Sequence, residues 1–148
     1  NTGQSVKSKD RVCQGQAVSN NFPLNSLLHV ITQMNSQYWR FDLNSVDLVR
    51  DYPSVYKYGV DGHFDWHVDM STAVSTRKLG FTIQLSNPED YEGGELQFYD
   101  GSKTRLEPEL KEKGTLIVFP SFVWHRILPI TKGTRYAVVG WIHGNHFK

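Results

Sequence analysis

The chain has 148 residues, 39% of them hydrophobic and 21% charged, a composition that excludes an intrinsically disordered protein and predicts one folded domain over residues 1–148. Its formal net charge of +1 argues against nucleic acid or an anionic membrane as the main partner. The single cysteine, Cys13, excludes an internal disulfide and a thiolate zinc cage. A reducing compartment fits this cysteine usage, so we expect a cytoplasmic protein, with a phage-encoded protein acting in the host cytoplasm as the alternative. No apolar run approaches the ~20 residues of a membrane span.

The predicted elements begin with a polar stretch, residues 1–20, which is expected to form an arm or an edge strand. In residues 23–37 apolar side chains recur at steps of three and four, which predicts a helix with one apolar face. The period then falls to two, and turn-forming residues separate short segments. The predicted strands are 38–43, 55–58, 63–69, 78–86, 95–99, 115–119, 126–130 and 135–143. This order indicates a mainly β sandwich or barrel with the helix packed on an outer face.

Residues 62–69 read Gly-His-Phe-Asp-Trp-His-Val-Asp and contain two pairs of a histidine and an aspartate spaced two apart. Residues i and i+2 of a strand point to the same face, so His67 and Asp69 can both reach one ion. His63 and Asp65 form a second pair in the same phase, and periodicity does not separate the two. The place of His63 beside a turn, nearer the sheet rim, mildly favours the pair of His67 and Asp69.

A third ligand can come from a strand of the opposing sheet. His125 starts a strand in an apolar neighbourhood and is a candidate, although a hydrogen-bonded core histidine explains it equally well. Two histidines and one carboxylate leave positions open for substrate and oxygen, as in non-haem Fe(II) oxygenases. Among the other histidines, His29 is expected on the helix and His146 at the surface, while the role of His143 is left open.

Arg135 begins the last predicted strand, where a charge among apolar residues is costly unless it is paired. Its guanidinium suits a carboxylate, while an exposed arginine or a structural ion pair is the alternative. Tyr58 precedes the histidine segment, and its hydroxyl could add a hydrogen bond to the same carboxylate. Trp141 shares the face of Arg135 by strand parity and would line the same cavity. Both aromatic residues are otherwise core side chains.

Taken together, three blocks of the chain resemble Fe(II)- and 2-oxoglutarate-dependent dioxygenases of the prolyl 4-hydroxylase type, including the bacterial and phage PKHD-type hydroxylases. The first block is 58–69, and the second comprises 77–79 and 84–96. The third begins at Phe119-Pro120-Ser121 and ends at Trp141. The resemblance extends from residue 38 to residue 141 and depends on the order and spacing of all three blocks.

The resemblance implies a double-stranded β-helix, a jelly-roll of two facing sheets. It implies that Arg135 binds the distal carboxylate of 2-oxoglutarate, assisted by Tyr58, with Trp141 beside the site. The implied cofactors are Fe(II), 2-oxoglutarate as co-substrate and O2, with ascorbate as a further candidate. The implied iron ligands are His67, Asp69 and His125.

The implied reaction couples the oxidative decarboxylation of 2-oxoglutarate, which gives succinate and CO2, to hydroxylation of a substrate. A prolyl residue in a peptide or protein is the leading target, by analogy with the family. The alternatives are an oxygenase acting on a small molecule or nucleobase, and a non-catalytic jelly-roll binding module. Zinc also suits histidine and aspartate ligands, but a hydrolytic zinc enzyme has no reason to reserve an arginine for a carboxylate.

Two residues depart from the pattern of the family. Phe64 stands where many relatives have tyrosine, and Gly80 stands where close relatives often have serine. Neither is an expected ligand, so both bear on contacts around the metal rather than on the metal itself. The loop 70–76, which follows Asp69 directly, is rich in small polar residues and is either a lid over bound substrate or an ordinary connection.

Overall fold

The computed structural model describes residues 4–8, 10–44, 51–99, 101, 104–106 and 108–147. Within these ranges one α-helix, α1 (Leu24–Tyr38), precedes most of the strands. No helix in the same ranges combines the length and the apolarity that crossing a bilayer requires. The strands are β1 (Gln4–Lys7), β2 (Arg11–Ala17), β3 (Ser54–Tyr58), β4 (His63–His67), β5 (Arg77–Gln84), β6 (Tyr91–Gly93), β7 (Leu96–Tyr99), β8 (Thr104–Leu106), β9 (Leu116–Pro120), β10 (Trp124–Ile127), β11 (Ile130–Gly133) and β12 (Arg135–His143).

Ten of the strands form one sheet in the order β8-β7-β10-β4-β2-β3-β12-β5-β9, with β1 paired to β2, while β11 and β6 form a separate pair. Each pairing is antiparallel. The expectation of a mainly β protein is therefore confirmed. The sheet places the strand that carries His67 and the strand that begins with Arg135 on opposite sides of β2 and β3.

The polar start of the chain is more than an arm or an edge strand. β1 and β2 form a hairpin, and β2 lies inside the sheet between β4 and β3. Arg11 pairs with Phe64 of β4, and Gly15 pairs with Tyr56 of β3. A single strand from the first 20 residues thus joins the two halves of the sheet.

The apolar face of α1 covers the outer side of the sheet. Leu27 and Ile31 are buried and pack in one cluster with residues of β5 and β12. Burial of an isoleucine such as Ile31 stabilises the fold by about 1.5–3 kcal/mol. The predicted helix is confirmed, with bounds one residue later than expected at each end. A second cluster lies elsewhere in the fold and contains Cys13, Tyr58, Tyr91, Leu96, Ile117, Phe119, Ile127 and Ile130.

The strand predicted at residues 38–43 is wrong. The helix continues to Tyr38, and Arg40 adopts a φ of 57°, which breaks an extended chain. The Asn35 side chain then donates to the carbonyl of Phe41 and accepts from its N–H, at 2.9 and 3.0 Å. Only Leu43 makes an isolated bridge. The helix end is therefore closed by a side chain, and the alternation of aromatic residues after it does not signal a strand.

Candidate active site

A β-bulge in β4 shapes the site. His125 of β10 pairs with His67, whereas Ile127 pairs with Phe64, so a step of two residues on β10 matches a step of three on β4. An extra residue in one strand reverses the facing of the side chains beyond it. Phe64 and His67 consequently face the same way, with ring centroids 3.5 Å apart and planes 14° apart. Because of the bulge, Phe64 and not His63 shares a face with His67, although a regular strand would place His63 and His67 on the same face.

The structure brings His67, Asp69 and His125 together. One nitrogen or oxygen atom from each lies within 4.8 Å of the others. Among the described residues, this is the one group of three or more side chains close enough to hold a metal ion. β4 ends at His67, and Asp69 is held beyond it because its backbone N–H donates to the Ser121 carbonyl at 2.9 Å. His125 lies on the neighbouring strand, directly paired with His67. The expectation that it comes from the opposing sheet is therefore wrong.

Both imidazole rings are oriented by backbone carbonyls. His67 Nδ1 lies 2.7 Å from the Asp65 carbonyl, and His125 Nδ1 lies 2.9 Å from the Val123 carbonyl. A carbonyl only accepts, so each Nδ1 carries the proton and each Nε2 presents a lone pair. Outer hydrogen bonds of this kind orient histidine ligands of metals.

The two Nε2 atoms face one carboxylate without a hydrogen bond. His67 Nε2 lies 3.6 Å from Asp69 Oδ1, and His125 Nε2 lies 3.6 Å from Asp69 Oδ2, beyond hydrogen-bond distance. Burial, and after it the neighbouring His125, lower the pKa of His67 to about 4, so this ring is neutral at pH 7. Three acceptors that converge in a buried site repel one another unless a cation lies between them. Two histidines and one carboxylate suit ferrous iron.

Gly80 of β5 provides the space that the Asp69 side chain occupies. A Cβ added at Gly80 would lie 2.8 Å from Asp69 Oδ2 and 3.0 Å from the ring of Phe119. The first distance is shorter than any ordinary contact of a carbon atom, so a side chain here would displace the carboxylate or the strand. The glycine that departs from the family pattern thus bears directly on the position of a candidate ligand.

Arg135 lies at the other end of the pocket and is almost fully buried, at 1% exposure. Its Nη2 donates to Gln84 Oε1 at 3.0 Å, while its Nε has no hydrogen-bond partner among the described residues. Tyr58 pairs with Arg135 across β3 and β12, and the guanidinium carbon lies 5.3 Å from its ring centroid. Burial raises the pKa of Tyr58 to about 12, so its hydroxyl stays protonated at neutral pH.

Two more donors that line the pocket lack partners. Thr82 Oγ1 and Trp141 Nε1 are buried, and neither has a hydrogen bond within the described part of the chain. Buried polar groups without partners are rare in folded proteins, so three of them around one cavity indicate a missing polar ligand. Sequence analysis overlooked Thr82 and Gln84. Their signal is the alternation of β5, where the polar residues Lys78, Thr82 and Gln84 share the face of Gly80 by strand parity.

One pocket connects both ends of the site. It has about 480 Å³ of empty space, including its open mouth. Each residue to which sequence analysis gives a role in metal or co-substrate binding lines it, together with Arg11 and Phe64, which were not assigned such a role. The predicted residues are Tyr58, His67, Asp69, His125, Arg135 and Trp141.

His143, whose role the sequence leaves open, lies outside the triad. Its Nδ1 is hydrogen-bonded to Thr76 Oγ1 at 2.9 Å, and its Nε2 lies 3.1 Å from Asp51 Oδ2. Asp51 also accepts two hydrogen bonds from Arg77, at 2.6 and 2.7 Å. Arg77 in turn donates to the backbone carbonyl of Asp69 at 2.9 Å. His143 therefore belongs to a network that supports the candidate ligand from behind.

The loop 70–76 is tied down at both ends. The Met70 N–H donates to the Ser121 carbonyl at 3.2 Å, and Ser75 Oγ is hydrogen-bonded to His146 Nδ1 at 2.7 Å. A short 3₁₀ turn, Thr72–Val74, lies between them. A closing motion of this loop stays a prediction, and it would have to break the contact to His146.

The sequence model of the 2OG-Fe(II) oxygenase superfamily matches residues 53–143. A PKHD-type hydroxylase of Hyphomonas neptunium is 44% identical over 64 residues, which cover 43% of this chain and 28% of the relative. A PKHD-type hydroxylase of Synechococcus sp. (strain CC9902) is 43% identical over 82 residues, which cover 53% of this chain and 35% of the relative. The chain thus spans well under half the length of these curated relatives.

Two solved structures are similar over nearly the whole chain. A Pseudomonas putida prolyl-4-hydroxylase has a TM-score of 0.74 at 19% identity and covers 97% of this chain, while 78% of that chain is covered. A Trichoplax adhaerens prolyl hydroxylase, solved with a peptide fragment of hypoxia inducible factor, has a TM-score of 0.73 at 17% identity, with coverages of 97% and 70%. At these identities the likeness establishes the fold, and the expected double-stranded β-helix is confirmed.

Proposed function

The chain belongs to the 2OG-Fe(II) oxygenase superfamily, and we propose that it hydroxylates a substrate at the expense of 2-oxoglutarate and O2. In this reaction one oxygen atom of O2 enters the substrate and the other enters succinate, while CO2 leaves. The proposal rests on one observation above all. Three converging metal-binding atoms and a buried guanidinium without an anion line the same pocket.

His67, Asp69 and His125 would hold the ferrous ion through two imidazole nitrogens and one carboxylate. The ion supplies the activation of O2 that hydroxylation of carbon requires. The chain supplies orientation, because each imidazole is fixed by a backbone carbonyl and Asp69 is fixed by Ser121. Such support keeps ligands in place before the metal arrives.

Arg135 would bind the distal carboxylate of 2-oxoglutarate. A buried, unpaired charge destabilises a folded protein, and a carboxylate at the free Nε would remove that penalty. Tyr58, Thr82 and Trp141 carry further donors that line the same pocket. Anchoring one end of the co-substrate in this way places its other end towards the triad, which reduces the entropy lost on reaching the reactive arrangement.

For the substrate we propose a prolyl residue of a peptide or protein. Both curated relatives are named PKHD-type hydroxylases, and both structural neighbours are named prolyl hydroxylases. The Trichoplax neighbour holds a peptide, and an open pocket mouth on this chain is compatible with a residue presented on a peptide.

The test is the consumption of 2-oxoglutarate. The full chain with Fe(II), 2-oxoglutarate and O2 should form succinate, and a peptide with the correct proline should accelerate this and gain one oxygen atom by mass spectrometry. A chelator should abolish both signals. Absence of succinate, together with absence of 2-oxoglutarate binding in the presence of Mn(II) without O2, would contradict the proposed function. Omitting ascorbate from the same assay tests the expected ascorbate requirement.

A further inference from the structure

We propose that Arg11 binds a carboxylate of the substrate, so that the target proline is flanked by an acidic residue. The inference rests on the proposed function, since it names the substrate class of the same site. It starts from a residue that sequence analysis did not place near the metal. Arg11 lines the pocket together with His67 and Asp69.

Arg11 lies beside the metal end of the pocket. It is paired with Phe64 across β2 and β4, and the Phe64 ring in turn stacks on His67. The guanidinium carbon of Arg11 lies 4.5 Å from the Phe64 ring centroid and 4.6 Å from that of Tyr56. Arg135 is instead paired with Tyr58 across β3 and β12. The two arginines come from different strands and both lie near Tyr58, and Arg11 is the one paired with the residue that stacks on His67.

The side chains that contact the Arg11 guanidinium are uncharged, and its thiol partner is a weak hydrogen-bond acceptor. Its Nε donates to Cys13 Sγ at 3.1 Å, and a thiol is a poor acceptor. The rings of Tyr56 and Phe64 lie against the guanidinium, and the Tyr56 hydroxyl also accepts a hydrogen bond from it, so the partners of Arg11 are a thiol, a phenol and two rings. No carboxylate in the described ranges forms an ion pair with Arg11. Arg77, by contrast, has both hydrogen bonds of its fork filled by Asp51.

Counting charges leads to the same conclusion. The charged side chains that line the pocket are two guanidinium groups, Arg11 and Arg135, and one carboxylate, Asp69, while histidine ligands are neutral when bound to a metal. The empty pocket thus carries one excess positive charge. Ferrous iron adds two, and the dianion of 2-oxoglutarate removes two. One positive charge remains uncompensated in a partly enclosed site, and a substrate carboxylate would neutralise it.

A library of short peptides tests the inference, with one fixed proline and randomised residues on both sides. The library is incubated with the full chain, Fe(II), 2-oxoglutarate and O2, and products are sequenced by mass spectrometry. We expect aspartate or glutamate to exceed asparagine and glutamine by about tenfold at one flanking position. This preference should weaken between about 50 mM and 500 mM salt, because salt screens the attraction between a partly exposed guanidinium and the peptide carboxylate.

Variants then assign the preference to Arg11. Arg11→Met should abolish it, Arg11→Lys should retain part of it, and Arg126→Met, which alters an arginine outside the pocket, should leave it unchanged. Binding of Mn(II) and 2-oxoglutarate without O2 should stay within about twofold of the wild type in all three. This measurement also checks that the variants fold. If neither Arg11 variant folds, the wild-type library decides: acidic enrichment that weakens with salt supports the inference, and its absence contradicts it.

Each other outcome overturns the inference. Products without acidic enrichment, or enrichment that survives Arg11→Met, exclude Arg11 as the recognition residue. Loss of 2-oxoglutarate affinity in Arg11→Met assigns the residue to the co-substrate instead. If 2-oxoglutarate binds and no peptide reacts, the peptide class is excluded while the oxygenase proposal stands. If 2-oxoglutarate fails to bind, the proposed function fails and the inference with it.

Discussion

The two ends of the pocket differ in how the protein treats their polar atoms. At the metal end each imidazole donates to a backbone carbonyl, and Asp69 is held by Ser121 and by Arg77. At the Arg135 end the buried guanidinium keeps an Nε without a hydrogen-bond partner among the described residues, and the Thr82 hydroxyl, on the strand of Gln84, has none either. The first end is thus held by hydrogen bonds to the backbone. The second end presents a charged donor that the described part of the protein does not satisfy.

The difference shows two ways of preparing a binding site. Backbone hydrogen bonds hold the ligands of the metal end in place, and a cation there removes the repulsion among three converging acceptors. The Arg135 end instead carries a standing penalty, since an unsatisfied buried donor costs about 1–3 kcal/mol and a charged one more. Ligand binding should therefore stabilise the fold most where the penalty is relieved. Four variants can break or sharpen this contrast.

The largest effect is expected from Asp69→Asn. Loss of the carboxylate charge should weaken Mn(II) binding by more than the ~10–100-fold that removal of an outer partner causes. Isothermal titration calorimetry measures this directly. The matched control is Asp65→Asn in the other His-Asp pair, because Asp65 is exposed and its contact to the Trp66 N–H can be kept by an amide oxygen. Equal losses in both variants would contradict the assignment of the triad.

Arg135→Met should weaken 2-oxoglutarate binding without destabilising the metal-free fold. The Kd of 2-oxoglutarate should rise by at least ~30-fold, corresponding to about 2 kcal/mol, since the carboxylate loses its cation. The melting temperature of the metal-free protein should stay the same or rise, because an unpaired buried charge is removed. Calorimetry and thermal melts measure the two. A large fall in melting temperature would show that the guanidinium is structural, and Arg126→Met serves as the control for 2-oxoglutarate affinity.

Gly80→Ala should weaken metal binding while leaving the fold intact. The added Cβ would meet Asp69 Oδ2 at 2.8 Å, so we expect a loss of about tenfold in Mn(II) affinity. Gly59→Ala is the matched control, because a Cβ there meets nothing within 4 Å. Unchanged affinity in Gly80→Ala would mean that the Asp69 side chain has room to adjust, and that the metal end is less rigid than its hydrogen bonds suggest.

The smallest effect is expected from Thr82→Val, which removes a single unpartnered hydroxyl and keeps the shape. The Kd of 2-oxoglutarate should rise about 2–10-fold, in line with ~0.5–1.5 kcal/mol for one hydrogen bond. Pyruvate lacks the distal carboxylate and should bind the variant and the wild type equally. A tighter 2-oxoglutarate complex in the variant would exclude a contact between this hydroxyl and the co-substrate.

Much of the site could be predicted because its residues follow strand rules. Arg135 and Trp141 share a face through the regular alternation of β12, and both line the pocket. The resemblance to the family, now confirmed, selected His67 over His63 where periodicity left both open. The physical reason for that choice is the bulge in β4, which has no clear sequence signal.

Other features depend on contacts between distant segments and were not predicted. Arg11 reaches the pocket only because β2 is inserted between β3 and β4. The strand expected at residues 38–43 is absent because the Asn35 side chain closes the helix on Phe41. A local pattern of alternating aromatic residues carries no information about such a closure.

The bulge in β4 lets three residue steps, from Phe64 to His67, do what two steps do in a regular strand, so that both side chains lie on one face. Deleting one of the two residues between them would leave a spacing of two, which regular alternation also places on one face. The His67 imidazole should therefore keep its direction, and such a deletion should remove the bulge while Mn(II) binding is retained. The number of residues between these two side chains is thus a looser constraint than the identity of His67 itself.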